Sequence, residues 1–247
     1  MSPATTPPAG RTAAGQAGDV VPVLAIDGTS ASGKGTIAAR AAATLGFHLL
    51  DSGALYRLVG LAGLRAGLPL EDEQALAALA RDLPVRFEGE SVYLGETDVG
   101  LELRSDRCSD AASRVAVHPA VRASLLQRQR DFRQPPGLVA DGRDMGTVVF
   151  PDALAKVYLT ASLRERAERR YKQLIAKGIA ANIDDLLREI EGRDRRDSER
   201  AIAPLTVAPD ALLIDTTGLG IDAVLARVLE HYGQRRDTTS GTSISSS

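Results

Sequence analysis

Cysteine occurs once in the 247 residues, as Cys108. That excludes an internal disulfide framework and a thiolate cluster for zinc, and leaves Cys108 as a small side chain expected in or near a core. Histidine is almost as scarce. His48, His118 and His231 are scattered without i, i+4 spacing, so neither a metal centre nor a Ser/His/Asp arrangement is indicated. Charge of one sign is missing too: 30 basic and 32 acidic side chains leave a formal net charge of −2. No chain-wide positive field exists to hold DNA, RNA or an anionic membrane, so any phosphate recognition must be local. No uninterrupted apolar run approaches the ~20 residues that span a bilayer. The first residues also lack the basic-then-apolar order of a secretory signal. The expectation is a cytoplasmic monomer with small-molecule partners and no nucleic-acid or membrane partner.

The length suits one large α/β unit and is too short for two ordinary enzyme domains with linkers. Residues 1–20 are rich in Pro, Ala, Gly and Thr, and residues 238–247 in Ser and Thr. Both segments offer little apolar surface and are expected to be disordered tails around a domain over 21–237. Between them, short apolar runs alternate with 3.6-period segments, the pattern of parallel strands joined by helices on both faces of a sheet. Val20 to Ile26 reads as the first strand, followed by a helix carrying Ile37, Ala41 and Leu45 and capped by Gly46. Phe47 to Leu50 reads as the second strand, followed by a helix with Leu55, Leu58, Val59 and Ala62 on one face, stopped by Gly67 and Pro69. A helix near 73–83 and two β-like pieces, 85–87 and 92–94, read as an inserted subdomain. Pro119 opens a helix to about Phe132. Two more buried strands are expected at 137–141 and 155–159. Ser162 and Glu165 form a capping box for a helix ending near Gly178, and Asn182 caps the next. After a last strand at 211–214, Ile221, Val224, Leu225, Val228, Leu229 and Tyr232 form an apolar helical stripe expected in the core.

Gly28-Thr29-Ser30-Ala31-Ser32-Gly33-Lys34-Gly35-Thr36 stands between the first strand and an amphipathic helix, where a phosphate-binding P-loop belongs. Its glycines let the backbone curl so that successive N–H groups point at phosphate oxygens, and the helix adds its positive end. Lys34 supplies a mobile charge for the β- and γ-phosphates. Gly35 occupies the position where Ser or Thr usually ligates magnesium, with Thr36 one residue later, so direct ligation of Mg2+ by this loop is not expected.

GTPase switches share such a loop but read guanine with Asn-Lys-x-Asp. The only asparagine here is Asn182, at a helix start. Phosphoryl transfer instead needs positive charge aimed at two phosphate groups, and arginine supplies it best. Arg57, Arg122, Arg143, Arg193, Arg196 and Arg200 are the candidates. Arg193, Asp197 and Arg200, spaced i, i+4, i+7, would share one helix face, although the same spacing fits a solvated face with local ion pairs.

Taken together, the loop, Leu50-Asp51-Ser52-Gly53-Ala54-Leu55-Tyr56-Arg57, Ala140-Asp141-Gly142-Arg143-Asp144-Met145-Gly146-Thr147, and Arg193-Asp194-Arg195-Arg196-Asp197-Ser198 resemble the bacterial cytidylate kinases. The resemblance runs from about Val21 to Tyr232. It implies an α/β P-loop NTPase fold with a five-stranded parallel sheet, a monophosphate-binding insert at about 68–117, and a lid with its supporting helix at about 162–200. It implies transfer of the γ-phosphate of ATP to CMP or dCMP, with Mg2+ held mainly by phosphates and waters. By the same resemblance Arg57 and Arg143 clamp the acceptor phosphate, and Ser52, Ser113, Arg122, Asp144 and Arg200 line the cytosine pocket. Arg193 and Asp197 read the sugar hydroxyls, and Asp141 orients magnesium-bound water, a turn or cap role being its alternative. Lys34, Arg143 and Asp141 are the expected catalytic residues. A carboxylate at Asp144 can accept from cytosine's amine, whereas uracil presents an oxygen. Two positions depart from the family's habit: Thr29 stands where proline is common and Ala31 where glycine is common. Ala31 must therefore take an ordinary negative φ or strain the loop. A kinase for UMP, AMP or a non-nucleotide alcohol, and a module that binds ATP without turnover, are the competing readings.

Overall fold

Five parallel strands form the central sheet of the computed structural model, which describes residues 20–88, 91–176 and 178–242. In chain order the elements are β1 (Val23–Gly28), α1 (Lys34–Leu45), β2 (His48–Asp51), α2 (Ser52–Arg65), α3 (Glu73–Arg81), β3 (Val85–Glu88), β4 (Ser91–Leu94), β5 (Thr97–Asp98), α4 (Asp106–Val115), α5 (Pro119–Arg130), β6 (Leu138–Asp141), β7 (Ala155–Thr160), α6 (Leu163–Ala176), α7 (Ile183–Ser198), β8 (Leu212–Asp215) and α8 (Ile221–Thr242). The central order is β2-β6-β1-β7-β8. The three inner strands are the apolar ones, because a parallel strand covered on both faces must bury alternate residues in both directions. Val23 and Ala25 enter a core shared with α2, α3, α4 and α5, while Leu24 and Ile26 enter a second core with α1 and α8.

Beside the main sheet, β3, β4 and β5 form a small antiparallel sheet. The helices flanking it belong to the first core. Gly60 of α2 meets α4 so closely that a Cβ there would lie 2.8 Å from Ala111 Cβ, which keeps a side chain out of that crossing. The pair α6 and α7 is built differently: Ala167, Leu174, Leu186 and Ile190 make a separate small buried cluster between them.

Several local expectations are met by the chemistry that motivated them. Gly46 takes φ +66 at the end of α1, the Glu165 N–H donates to Ser162 Oγ at 3.2 Å, and Asn182 Oδ1 accepts from the N–H groups of Asp184 and Asp185. Others are corrected. The first strand starts at Val23, after Pro22, and Val20 is exposed. Arg200 lies beyond the end of α7 at Ser198, so it does not continue a helical face with Arg193 and Asp197, although its guanidinium still reaches Asp197. Ile221 is exposed because it sits at the very start of α8, before the helix reaches the sheet, whereas Val224, Val228 and Tyr232 are buried. The segment expected to be a tail from 238 is helical through Thr242, since extending a formed helix needs far less than nucleating one. Residues 1–19 and 243–247 lie outside the described residues.

Candidate active site

The carboxyl ends of β1, β6 and β2 stand side by side, with Ile26 opposite Asp141 and Asp141 opposite Asp51. Ligands of open α/β sheets gather at such an edge, where the strand order changes direction. Here the chain leaving β1 becomes the Gly28–Thr36 loop. Gly28 is required by space: its φ is +146 and a Cβ would lie 1.9 Å from the Leu159 carbonyl oxygen. Ala31 has φ +57, so the loop holds a methyl-bearing residue in the left-handed region and takes the strained branch of the expectation. Ser32 Oγ donates to the Thr29 carbonyl at 2.9 Å. Lys34 Nζ donates to the same carbonyl at 2.6 Å.

One open cleft, with a cavity of about 370 Å³, takes in Ser30, Ala31, Gly33, Lys34, Gly35 and Thr36 of this loop. Gly28, Thr29 and Ser32 lie behind it and shape it without lining it. All nine expected acceptor residues line the same cleft: Ser52, Arg57, Ser113, Arg122, Arg143, Asp144, Arg193, Asp197 and Arg200. Asp141 lines it too. Their partners differ. Arg57 is tied at 2.6 Å to Asp51, whose other oxygen caps α2 at the Ala54 N–H. Arg196 Nε donates to Ser113 Oγ at 2.9 Å, joining α7 to α4.

At the floor, Arg122 donates to Asp144 Oδ2 in a buried ion pair, and its guanidinium lies 5.6 Å from the centroid of the Tyr56 ring. Asp144 Oδ1 has no hydrogen-bond partner among the described residues. Arg143 donates through Nε to Asp197 at 2.8 Å and through Nη2 to Ser30 Oγ at 3.2 Å. Asp197 also holds Arg200, so one buried carboxylate fixes two guanidinium groups.

Burial and crowding set the protonation preferences. Burial holds Lys34 below the usual lysine value, and Arg143 beside it pushes the same way. Asp141 is raised by burial, with Lys34 opposing. Burial would raise Asp197, but Arg143, Arg200 and Arg193 outweigh it and hold the carboxyl below its ordinary value. Arg193 is lowered to about 10 by burial and by Arg143. Both Arg193 Nε and Arg200 Nε are buried without a hydrogen-bond partner among the described residues. Buried cationic donors left unsatisfied are expensive, so this cluster is built to meet an anion.

A magnesium ion carried in by a nucleotide fits these residues. A Cβ on Gly35 would lie 3.4 Å from Asp141 Oδ2, so the position that lacks a hydroxyl looks directly at a carboxylate. Among the described residues no group of three or more His, Cys, Asp or Glu could hold a metal by itself.

Sequence reasoning missed the ties from α6 and α7 to the loop. Arg166 donates to the Ser30 carbonyl at 3.1 Å and to Asp194 at 2.5 Å, and Asp194 accepts from the Ser30 N–H at 3.4 Å. Arg169 and Gln173 reach the cleft from α6 as well. Nothing in the spacing of these charged helices marks which arginines turn inward.

Residues 24–234 match the family model described as cytidylate kinase. A cytidylate kinase of Bordetella bronchiseptica is 59% identical over 211 residues, covering 85% of this chain and 95% of that protein. One from Cupriavidus necator is 57% identical over 217 residues, covering 88% and 98%. One from Nitrosomonas europaea is 54% identical over 216 residues, covering 87% and 97%. With a matched model spanning the whole sheet, the phosphate loop and the arginine-lined cleft, the chain belongs to the cytidylate kinase family.

Proposed function

We propose that this chain transfers the γ-phosphate of ATP to CMP or dCMP, giving ADP and CDP or dCDP. The observation that carries the acceptor is Asp144: a buried carboxylate, fixed by Arg122 at the floor of the cleft, with Oδ1 left to accept a hydrogen bond from an exocyclic amine. Uracil, with an oxygen at that place, would face a carboxylate and be repelled. Ser52 and Ser113 border the same pocket.

The donor's phosphates lie against the Ser30–Thr36 backbone and the first turn of α1, where Lys34 leaves the Thr29 carbonyl for them. Arg57 and Arg143 hold the acceptor phosphate, and Arg193 and Asp197 meet the sugar. Arg200 stays with Asp197. The reaction spreads charge over the transferred group, so positioned cations supply most of the catalysis and no covalent intermediate on the chain is required. Mg2+, if bound with the nucleotide, would neutralise phosphate charge, and Asp141 would be the carboxylate to hold water beside it. Folding of α6 and α7 over the loop excludes the water that would otherwise accept the phosphoryl group. The cleft is complete within one chain, which supports action as a monomer, and ATP as the donor supports the cytoplasm as its place.

A coupled assay at equal concentrations of CMP, dCMP, UMP and AMP tests the reading. CMP and dCMP should turn over fastest, and UMP or AMP outrunning them would overturn the assignment. In Asp144→Asn the preference for CMP over UMP should shrink by roughly ten- to a hundredfold, the worth of one hydrogen bond to a charged group. Asparagine is the gentler replacement because its amide oxygen still accepts from the Arg122 guanidinium, an acceptor that alanine removes. Equal losses on both acceptors would remove Asp144 from base recognition.

A further inference from the structure

Asp27 is the penultimate residue of β1 and is buried, yet no substrate role falls to it. Both of its carboxylate oxygens are used. Oδ1 accepts from the Met145 N–H and Oδ2 from the Gly146 N–H, each at 2.8 Å. These two amides open the π-helical turn Met145–Val149, and the residue that precedes them is Asp144, with φ −146 and ψ 24. Arg143 comes one residue earlier. Four consecutive residues therefore alternate in duty: two side chains face the cleft, and the next two amides hang from a single carboxylate on another strand. The backbone runs close beside both strands here, since a Cβ on Gly146 would lie 3.1 Å from Lys156 Cδ and 3.4 Å from Asp27 Oδ2. One residue beyond Asp27, the same strand turns into the phosphate loop.

We infer that Asp27 is a positioning residue for the acceptor: by gripping the Met145 and Gly146 amides it sets where Asp144 presents its free oxygen, and it ties that point to the strand that carries the donor loop. The inference rests on the proposed reaction. A second observation supports it. Burial, with lesser contributions from Asp144 and Asp141, raises the Asp27 carboxyl to about 7, while the two amides oppose the rise. The groups facing it are Asp141 and Asp144 from the β6 side and Lys156 and Tyr158 from β7, Tyr158 being its register partner. A raised carboxyl contributes stability that is full below its ordinary 3.8 and is lost as pH rises through about 7. At the upper end of that window the ionised side chain works against folding. A charge that weakens the fold and still anchors two amides of the acceptor segment is best explained by what those amides position.

Asp27→Asn tests this, since it keeps the shape, retains one acceptor oxygen and loses the charge. KM for CMP should rise about tenfold, the worth of one charge-assisted bond, with KM for ATP changed by less than about twofold. The CMP preference over UMP should fall with it. A structural role alone would move both KM values together and lower the melting temperature, whereas the variant should melt no lower than wild type at a pH of about 8. Because the ionised form grips both amides, the variant-to-wild-type KM ratio for CMP should approach one as pH falls from about 8.5 to about 6, and taking a ratio cancels the titration of CMP itself. An unchanged KM for CMP, or equal rises for CMP and ATP, would overturn the inference. If the variant does not fold, Asp27→Ser, which keeps one acceptor oxygen on a smaller side chain, should raise KM for CMP selectively, and no change there would be equally fatal. Wild-type enzyme inert toward CMP would instead bring down the proposed reaction, whereas active wild type with an indifferent Asp27→Asn would sink this inference alone.

Discussion

Ala31 shows how a single methyl group can be weighed. At φ +57 an L-residue gives up about 1–2 kcal/mol relative to a right-handed conformation. Replacing it with glycine removes that strain but frees the unfolded chain, which takes back about 0.4–1 kcal/mol. The difference favours Ala31→Gly by roughly 0.5–1 kcal/mol, read as a higher urea midpoint at unchanged slope. A midpoint that does not rise would mean that the surrounding loop has already relaxed around the methyl group. The strain was legible in the sequence only as an alternative, because the residue type says that αL is disfavoured and not whether the loop demands it. The loop itself was legible because its chemistry is contiguous: two glycines and a lysine act within nine residues, and no tertiary knowledge is needed to bring them together. Asp27 is the opposite case. It stands next to the loop in sequence, but its partners are Met145 and Gly146, and only the pairing of β1 with β6 delivers them.

At the scale of elements, capping residues marked helix starts well because an N-cap is local: Ser162 and Asn182 bond amides two or three residues away. Helix ends were less legible. α7 stops at Ser198, and Asp197 gathers Arg200 from outside the helix, so a periodic pattern continued past the point where the backbone left it. The attachment of α6 and α7 was invisible for a related reason: Arg166 sits among other arginines on a polar helix, and only its burial distinguishes it. That attachment is polar. The pair has its own small apolar cluster, and beside the bonds of Asp197 to Arg143 and of Arg196 to Ser113, the knot of Arg166, Asp194 and Ser30 is a principal tie to the loop. Asp194→Asn should therefore loosen the pair when no nucleotide is present. Amides of α6 and α7 should exchange hydrogen faster than in wild type, while those of β1 and β6 stay unchanged. Saturating ATP and CMP should close most of the gap. Uniform acceleration across the sheet would show that Asp194 supports the whole fold instead of the pair.

Across the whole molecule, charge is distributed against the average. The chain carries a net −2, yet seven cationic and four carboxylate side chains line the cleft, an excess of three positive charges in one place. Concentrating cations in a buried site weakens some of them, and Lys34 bears the consequence: burial and Arg143 both favour its neutral form in the free protein. A triphosphate reverses the balance, because its negative charge rewards the ammonium that desolvation penalised. ATP binding at a pH of about 8.5 should therefore take up protons, through a lysine that is partly neutral before binding and charged after it. Calorimetry in buffers of different ionisation enthalpy would read the uptake directly. The sign follows from the direction of the shift: lowering the pH charges Lys34 in advance, so its share of the uptake fades. Asp141, raised by burial, could add its own uptake only in the more acidic range, where its carboxyl begins to protonate. Measuring at about 8.5 isolates the lysine. Lys34→Met should abolish the uptake and most of kcat together, since one charge serves both binding and transfer. Uptake that persists in Lys34→Met would assign the titration to another group and would remove the depressed lysine from the account of how this cleft receives its donor.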